Sequence, residues 1–316
     1  MIVRFWGVRG SVPTPLSPQQ VKEKILWALK SASDRDIGDE RAAEHYVEKL
    51  PLHIKGTYGG NTSCIDLHAE DTTIIFDAGS GIRSLGLHLM DGKFGQGAGT
   101  VHLFLSHTHW DHIQGFPFFL PAYVPGNRIV IYSPHPNIEA RFSMQQEAPY
   151  FPVPLKGMHA DIEFITLSEG ENVAIGHVDV TNIKLNHPGG SFGYRAKQQD
   201  SAFVYATDTT FTNLSGSNME KYISFFSQAK ALVFDAQYTL KEAMEKEDWG
   251  HSSSLTGVDI ALEAGVETLV LFHHEPTHDD HTLWDILQRT RKYVELQKSD
   301  KICKVIMAYE GLELAL

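Results

Sequence analysis

Cysteine is scarce in this sequence, and its scarcity removes two kinds of architecture at once. Cys64 and Cys303 are the only two, far apart and without paired spacing. Neither a disulfide framework nor a thiolate metal site is expected, and both read as reduced packing residues. Long apolar runs are missing as well: no stretch of eighteen apolar residues occurs, which argues against a spanning helix. The opening "MIVRFWG" reads as a strand and lacks the basic and apolar regions of a secretory signal, so a cytoplasmic protein without membrane contact is expected. Positive charge is in deficit: 27 Lys and Arg stand against 39 Asp and Glu, a formal net charge of −12. That balance argues against a broad grip on nucleic acid, which needs clustered Lys and Arg. A small substrate is expected over a polymer, and a locally positive, metal-filled cleft is compatible with an acidic surface. No repeat at solenoid spacing and no low-complexity tract is present.

What is present describes an ordinary folded chain, 42% hydrophobic and 21% charged over 316 residues, with enough length for a substantial core. Short β-branched runs, "TTIIFDA" (72–78), "VHLFLS" (101–106), "RIVIYS" (128–133), "AFVYATD" (202–208), "ALVFDA" (231–236) and "TLVLFHH" (268–274), read as buried strands. Helical patterns stand between several of them, clearest at 254–265 and 282–298. This alternation predicts a layered α/β architecture with helices covering sheets. Residues 160–200 string together "DIEFITL", "VDVTNIKLNH" and "SFGYRAK" with no helix between, which predicts an antiparallel meander and hence a mixed sheet. One domain over 1–316 is expected, with a polar helical insertion at about 16–55. At about 137–158 a helix followed by an aromatic, Pro-rich loop is a candidate lid, with Tyr150 and Phe151 placed to close over a ring or to pack on a second subunit.

The most unusual stretch is "SHTHWDH" at 106–112, three histidines and an aspartate where a strand runs out into a loop. Residues at such a strand end are held by the sheet yet face a cleft. His107 and His109 are two apart and point the same way in extended chain, while Asp111 and His112 follow on the turn. Two neighbouring pairs of imidazole and carboxylate donors point to two metal ions. Other buried strands end in the same residue types, at His187, Asp208 and the pair His273–His274, with Asp77 closing "TTIIFDA".

These residues resemble the metallo-β-lactamase superfamily of metal-dependent hydrolases. Its H-x-H-x-D-H signature is matched in full by His107, His109, Asp111 and His112. "ALVFDAQYT", "GHSSSLTGVDIALEAG" and "LVLFHHEP" follow as do the late motifs of the ribonuclease Z and phosphodiesterase branch. The resemblance implies a four-layer αββα sandwich of two mixed β-sheets. It also implies a dinuclear site in which His107, His109 and His187 hold one metal, Asp111, His112 and His273 the other, and Asp208 bridges them. Only alignment of "FHHEP" separates His273 from His274. Asp77 would accept a ring N–H from a liganding histidine, or cap the turn that follows it.

The same resemblance assigns a proton donor to His251 and its orienting carboxylate to Asp235, which stands where the branch has a glutamate. Asp111 counts among the catalytic groups as well as the ligands. Two divalent ions, Zn²⁺ first with Mn²⁺ or Fe²⁺ as alternatives, would activate a shared bridging hydroxide. The implied reaction is hydrolysis of a small cyclic or nucleotide-like phosphodiester. Hydrolysis of a carboxylic ester or lactone is the alternative, with RNA processing or a non-catalytic metal-binding sensor behind it. A homodimer is a further expectation.

Overall fold

The structure, a computed structural model, describes residues 1–211, 216–297 and 303–316. The chain builds a first sheet from β1 (Ile2–Gly7), β2 (Cys64–Ala69), β3 (Thr72–Phe76), β4 (Thr100–Phe104), β5 (Arg128–Ser133) and β6 (Asp161–Thr166). It then builds a second sheet from β7 (Asn172–Ile175), β8 (Val178–Leu185), β9 (Ser191–Gln198), β10 (Ser201–Ala206), β11 (Ala231–Asp235), β12 (Thr268–Phe272) and β13 (Lys304–Met307). Finally β14 (Glu313–Ala315) returns beside β1, so the sheets run β14-β1-β2-β3-β4-β5-β6 and β13-β12-β11-β10-β9-β8-β7. Each sheet is antiparallel in one half and parallel in the other, with β3 to β6 parallel in the first and β10 to β13 parallel in the second.

Three apolar clusters make the layers. One lies between the sheets, joining Phe5, Phe76 and Phe104 to Tyr194, Phe203 and Tyr205. A second packs the helix Ser254–Ala264 and the helix Asp280–Leu296 on the outside of the second sheet. The third packs the helix Ile82–Met90 and the helix Ile138–Gln145 on the outside of the first. Helix, sheet, sheet and helix are thus the αββα sandwich. The strands buried on both faces are the ones legible as continuous β-branched runs.

Two boundaries and one placement differ from the sequence expectations. The helix at 254 stops at Ala264 because Gly265 takes a left-handed conformation (φ 69°) that ends it. The last long helix begins at Asp280, two residues early, because Asp279 caps it by accepting from the Thr282 N–H; residue 298, the end predicted for it, lies outside the described residues. "DIEFITL" is not part of the antiparallel meander. It is β6, paired parallel to β5 at the edge of the first sheet. A parallel neighbour needs a long crossover, and the helix Ile138–Gln145 with its following loop is that crossover. The meander consists of β7 to β10.

The segment at 16–55 forms the helices Pro18–Ser31, Glu40–Lys49 and Leu52–Lys55. Neither of the two longer ones buries a residue fully, which fits the polar reading of that stretch. Among the described residues no helix is long and apolar enough to cross a membrane.

Phe76 is the keystone of the inter-sheet core, with ring centroids of Phe104, Tyr194, Phe203 and Tyr205 at 6.1, 6.0, 5.6 and 5.5 Å. Phe76→Ala is expected to lower the unfolding free energy by about 3–5 kcal/mol, read as a shift of the urea midpoint at unchanged slope.

Candidate metal centre

Strands of both sheets deliver their C-terminal ends to one edge of the sandwich, and the polar residues collect there. From the first sheet come Asp77 after β3 and the signature segment after β4; from the second come His187 after β8, Asp208 after β10, Asp235 at the end of β11 and His273 after β12. Asp77, Asp208 and His273 all have left-handed backbones, with φ of 61°, 55° and 61°. Non-glycine residues adopt this conformation at a cost, and such strain concentrates at functional sites.

The expected ligands fall into two groups of donors, His107, His109 and His187 in one and Asp111, His112, Asp208 and His273 in the other. His251 makes two further groupings, with His187 and Asp208 and with Asp235 and His273. Asp208 faces both ligand groups. Its Oδ1 lies 3.7 Å from Nε2 of His107 and of His187, while its Oδ2 lies 3.2 Å from His112 Nε2 and 3.3 Å from His273 Nε2. Asp111 Oδ2 completes the second group, 3.3 Å from His112 Nε2 and 3.1 Å from His273 Nε2. His109 Nδ1 stands 3.3 Å from His187 Nε2; alone among the seven its side chain is exposed, so the first group opens to solvent.

Hydrogen bonds behind the rings decide which nitrogen faces inward. A carboxylate and a carbonyl only accept, so His112 Nδ1 donates to Asp77 Oδ2 at 2.7 Å, His187 Nδ1 to the Gly250 carbonyl at 3.0 Å and His273 Nδ1 to Gln237 Oε1 at 3.1 Å. Ser106 Oγ donates to Asp77 Oδ2 at 2.7 Å and so accepts from His107 Nδ1 at 3.0 Å. In the neutral rings every inward Nε2 is then a lone pair. Burial pushes the pKa of His107 and His187 below the ordinary imidazole value, which favours that neutral form. His107 Nε2 is buried with no hydrogen-bond partner. Imidazole nitrogens and carboxylate oxygens that converge this closely fit divalent cations, and imidazole with carboxylate is the donor set such ions take. His112 and Asp208 face each other differently: burial would lower the His112 pKa and raise that of Asp208, but each outweighs it in the other. His112 is held well above the ordinary imidazole value and Asp208 well below the usual carboxylate range, so positive charge, a proton or a cation, belongs between them.

Asp77 is fully buried and accepts from the Ser106 N–H, the Ser106 hydroxyl, His112 Nδ1 and the Tyr205 hydroxyl, each at 2.7 Å. His274 does not face the cluster. Its Nε2 donates to the Ala308 carbonyl at 2.9 Å, so of the two adjacent histidines it is His273 that the strand turns inward. His251 lies beside the cluster, with ring centroids 5.1 Å from both His187 and His273. Its Nδ1 donates to Asp235 Oδ2 at 2.7 Å. Asp235 is therefore long enough despite being one methylene shorter than glutamate, because β11 brings its backbone up to the edge. Burial would lower the His251 pKa, but Asp235 outweighs it and raises it to about 9, so the ring stays protonated at neutral pH.

Sequence reasoning missed three participants. Gln237, in the quoted "FDAQYT", holds His273 and is itself held by Glu275 through Nε2 to Oε2 at 2.8 Å. The loop after β1 supplies the Ser11 N–H to Asp111 Oδ2 at 2.7 Å. In the same loop Gly10 sits so close that a Cβ there would fall 2.5 Å from His273 Nδ1. The spacing of Asp235 and Gln237, two apart at a strand end, was the available signal for the first; nothing local marked the other two.

Comparison with known proteins then decides the family. A family model described as a beta-lactamase superfamily domain matches residues 72–274. The chain belongs to that superfamily. Ribonuclease Z of Haloarcula marismortui is 24% identical over 269 residues, spanning 67% of this chain and 80% of that protein. The metallo-beta-lactamase fold protein YhfI from Bacillus subtilis shares 17% identity, covers 99% of this chain and 98% of its own, and superposes with a TM-score of 0.64. The short form of human tRNase Z shares 18% identity over 100% of this chain and 99% of its own, with a TM-score of 0.61. Membership makes the protein a metal-dependent hydrolase and implies divalent metal ions, and within the superfamily the chain is similar to ribonuclease Z.

If Asp208 serves both groups, metal analysis of purified wild type should give close to two equivalents per chain and Asp208→Ala at least one fewer. A wild-type stoichiometry of one that the substitution leaves unchanged would rule out the shared carboxylate.

Proposed function

We propose that this chain is a dinuclear metal-dependent phosphodiesterase acting on a small cyclic or nucleotide-like phosphodiester. The observation that carries the reading is the pairing of a two-sided carboxylate, Asp208, with the His251–Asp235 contact immediately beside it. In this reading His107, His109 and His187 would hold one ion, Asp111, His112 and His273 the other, and Asp208 would serve both; zinc fits the imidazole-rich set. The ions, when bound, supply an activated water and a Lewis acid for the ester oxygen.

The chain's own groups do the rest. Asp77, Gln237 and the Gly250 carbonyl fix the imidazoles so that one nitrogen of each faces the reaction, which keeps the geometry set before substrate arrives. Asp235 holds His251 protonated, and the ring can then neutralise charge that develops on the phosphoryl group and give its proton to the leaving oxygen. A cavity of about 360 Å³ opens at His251, lined by Phe211, Leu240 and Met244 among others. Its size suits a small leaving alcohol. The crossover segment at 137–158 would act as a lid: Gln145 Nε2 ties it to the Ile113 carbonyl at 2.9 Å, next to the signature, while Tyr150 is exposed and Phe151 leans on Phe118 at 5.4 Å.

The likeness to ribonuclease Z favours a second reading, cleavage of RNA. The net charge of −12 weighs against it.

The deciding experiment compares bis(p-nitrophenyl) phosphate, an activated lactone and a structured RNA as substrates of the metal-loaded protein, in wild type and His251→Ala, with metal content measured in both. Loss of about 10² to 10⁴ in kcat on the phosphodiester at constant metal content is expected. Retained phosphodiesterase activity would remove His251 from the reaction, and a wild type that prefers the lactone or the RNA would replace the proposed substrate class.

A further inference from the structure

On the exposed side of the first donor group lies a cationic corner that the hydrolytic site does not use. Arg141, on the helix Ile138–Gln145, donates through one Nη to Thr108 Oγ1 at 2.7 Å, and Thr108 is the residue between His107 and His109. The guanidinium is half-buried, yet among the described residues no carboxylate pairs with it and its other nitrogens have no partner. In a chain with twelve more acidic than basic groups, a half-buried arginine without a counter-ion is conspicuous. His135, two residues past β5, stands within electrostatic reach of it. That side chain is only 8% exposed, and its Nε2 is buried without a hydrogen-bond partner. The ring edge carrying Cε1 faces Gly190, where a Cβ would come within 3.5 Å, and the adjoining Gly189 would place a Cβ 3.8 Å from His109 Nε2. Both glycines are left-handed, with φ of 80° and 84°, so the turn after His187 passes between His135 and His109 with no side chain to fill the space. Burial, and after it the charge of Arg141, push the His135 pKa below the ordinary imidazole value, so the ring is neutral beside the guanidinium.

We propose that Arg141 and His135, with the Gly189–Gly190 turn, form an anion subsite beside the His107–His109–His187 group, which takes a second anionic group of the substrate, a phosphate or a carboxylate that is not itself hydrolysed. Arg141 supplies a planar, permanently charged fork already tethered at one end, which suits a phosphate or carboxylate in bidentate contact. His135 supplies a buried ring nitrogen without a hydrogen-bond partner, which the neutral imidazole can offer as an N–H to an anion. The subsite rests on the phosphodiesterase reading only for what lies at the other end of the molecule. It narrows the substrate to one carrying two negative groups, such as a nucleotide ester with an additional phosphate.

The test uses the metal-loaded full chain and a matched pair of esters, the p-nitrophenyl ester of thymidine monophosphate with and without a phosphate on the free sugar hydroxyl. The scissile bond and leaving group are the same in both. Arg141→Gln should raise KM for the doubly anionic ester by about tenfold to a hundredfold, the loss expected for a charged hydrogen-bonding partner, with a much smaller change for its singly charged counterpart. Arg141→Lys should recover part of the loss. Thr108→Val, which removes the tether but leaves the charge, should keep the preference for the doubly anionic ester. An equal effect of Arg141→Gln on both esters, or none on either, overturns the proposal and leaves Arg141 as a loop tether. Calorimetric titration with inorganic phosphate and with acetate, in wild type and Arg141→Gln, separates the two anion sources and does not depend on turnover. If neither ester is hydrolysed, the phosphodiesterase reading fails by itself, and an affinity for both anions unchanged by the substitution still overturns the subsite.

Discussion

The structure depends on a confrontation that no protein would hold without a reason: imidazole nitrogens and carboxylate oxygens pressed to within 3.1–3.7 Å of one another in a largely buried corner. Burying such groups without a compensating partner is costly. Each is held in place from behind, by Asp77, Gln237, the Gly250 carbonyl or the Ser11 amide. The anchors point these groups at one another, and a divalent cation between them turns that arrangement into coordination. Stability of this region and occupancy of the site are therefore one equilibrium.

The fold's contribution is the alignment of strand ends from two separate sheets. Each sheet supplies part of the donor set, and the dry aromatic layer between them fixes how the parts meet. Tyr205 shows the link directly: its ring packs on Phe76 at 5.5 Å within the inter-sheet core, and its hydroxyl crosses to Asp77 of the first sheet at 2.7 Å. Packing in the core thus passes into the orientation of His112 through a single carboxylate. A change of a few tenths of an ångström in the sheet spacing would reach the cluster by that path, since cores transmit strain and do not absorb it.

The signature segment, the strand ends at His187 and Asp208 and the layered α/β class could be read from the sequence because each is local, whereas the partnership of His251 with Asp235 came from the family resemblance alone. What escaped is what depends on three-dimensional neighbours. β6 looked like part of a meander because nothing in its own residues says which sheet edge it joins. Ser11 contributes a backbone amide, which carries no mark in the side-chain alphabet. Gln237 was quoted but given no role, since an amide that orients a ring looks like any polar residue after a strand. The choice between His273 and His274 had to wait for the backbone, because the two imidazoles are chemically the same and only the pleat separates inside from outside.

The left-handed backbones at Asp77, Asp208 and His273 limit what mutation can explore. Aspartate, asparagine and histidine enter that region more readily than most residues, whereas β-branched side chains are nearly barred from it. Variation at these three positions must satisfy a chemical filter and a steric one together, so the accessible substitutions shrink to a few short polar residues and glycine. New reactivity on this scaffold would therefore arise by exchanging the residues around the centre, such as those of the crossover helix and the turn at Gly189–Gly190, while the three backbone-locked positions stay as they are.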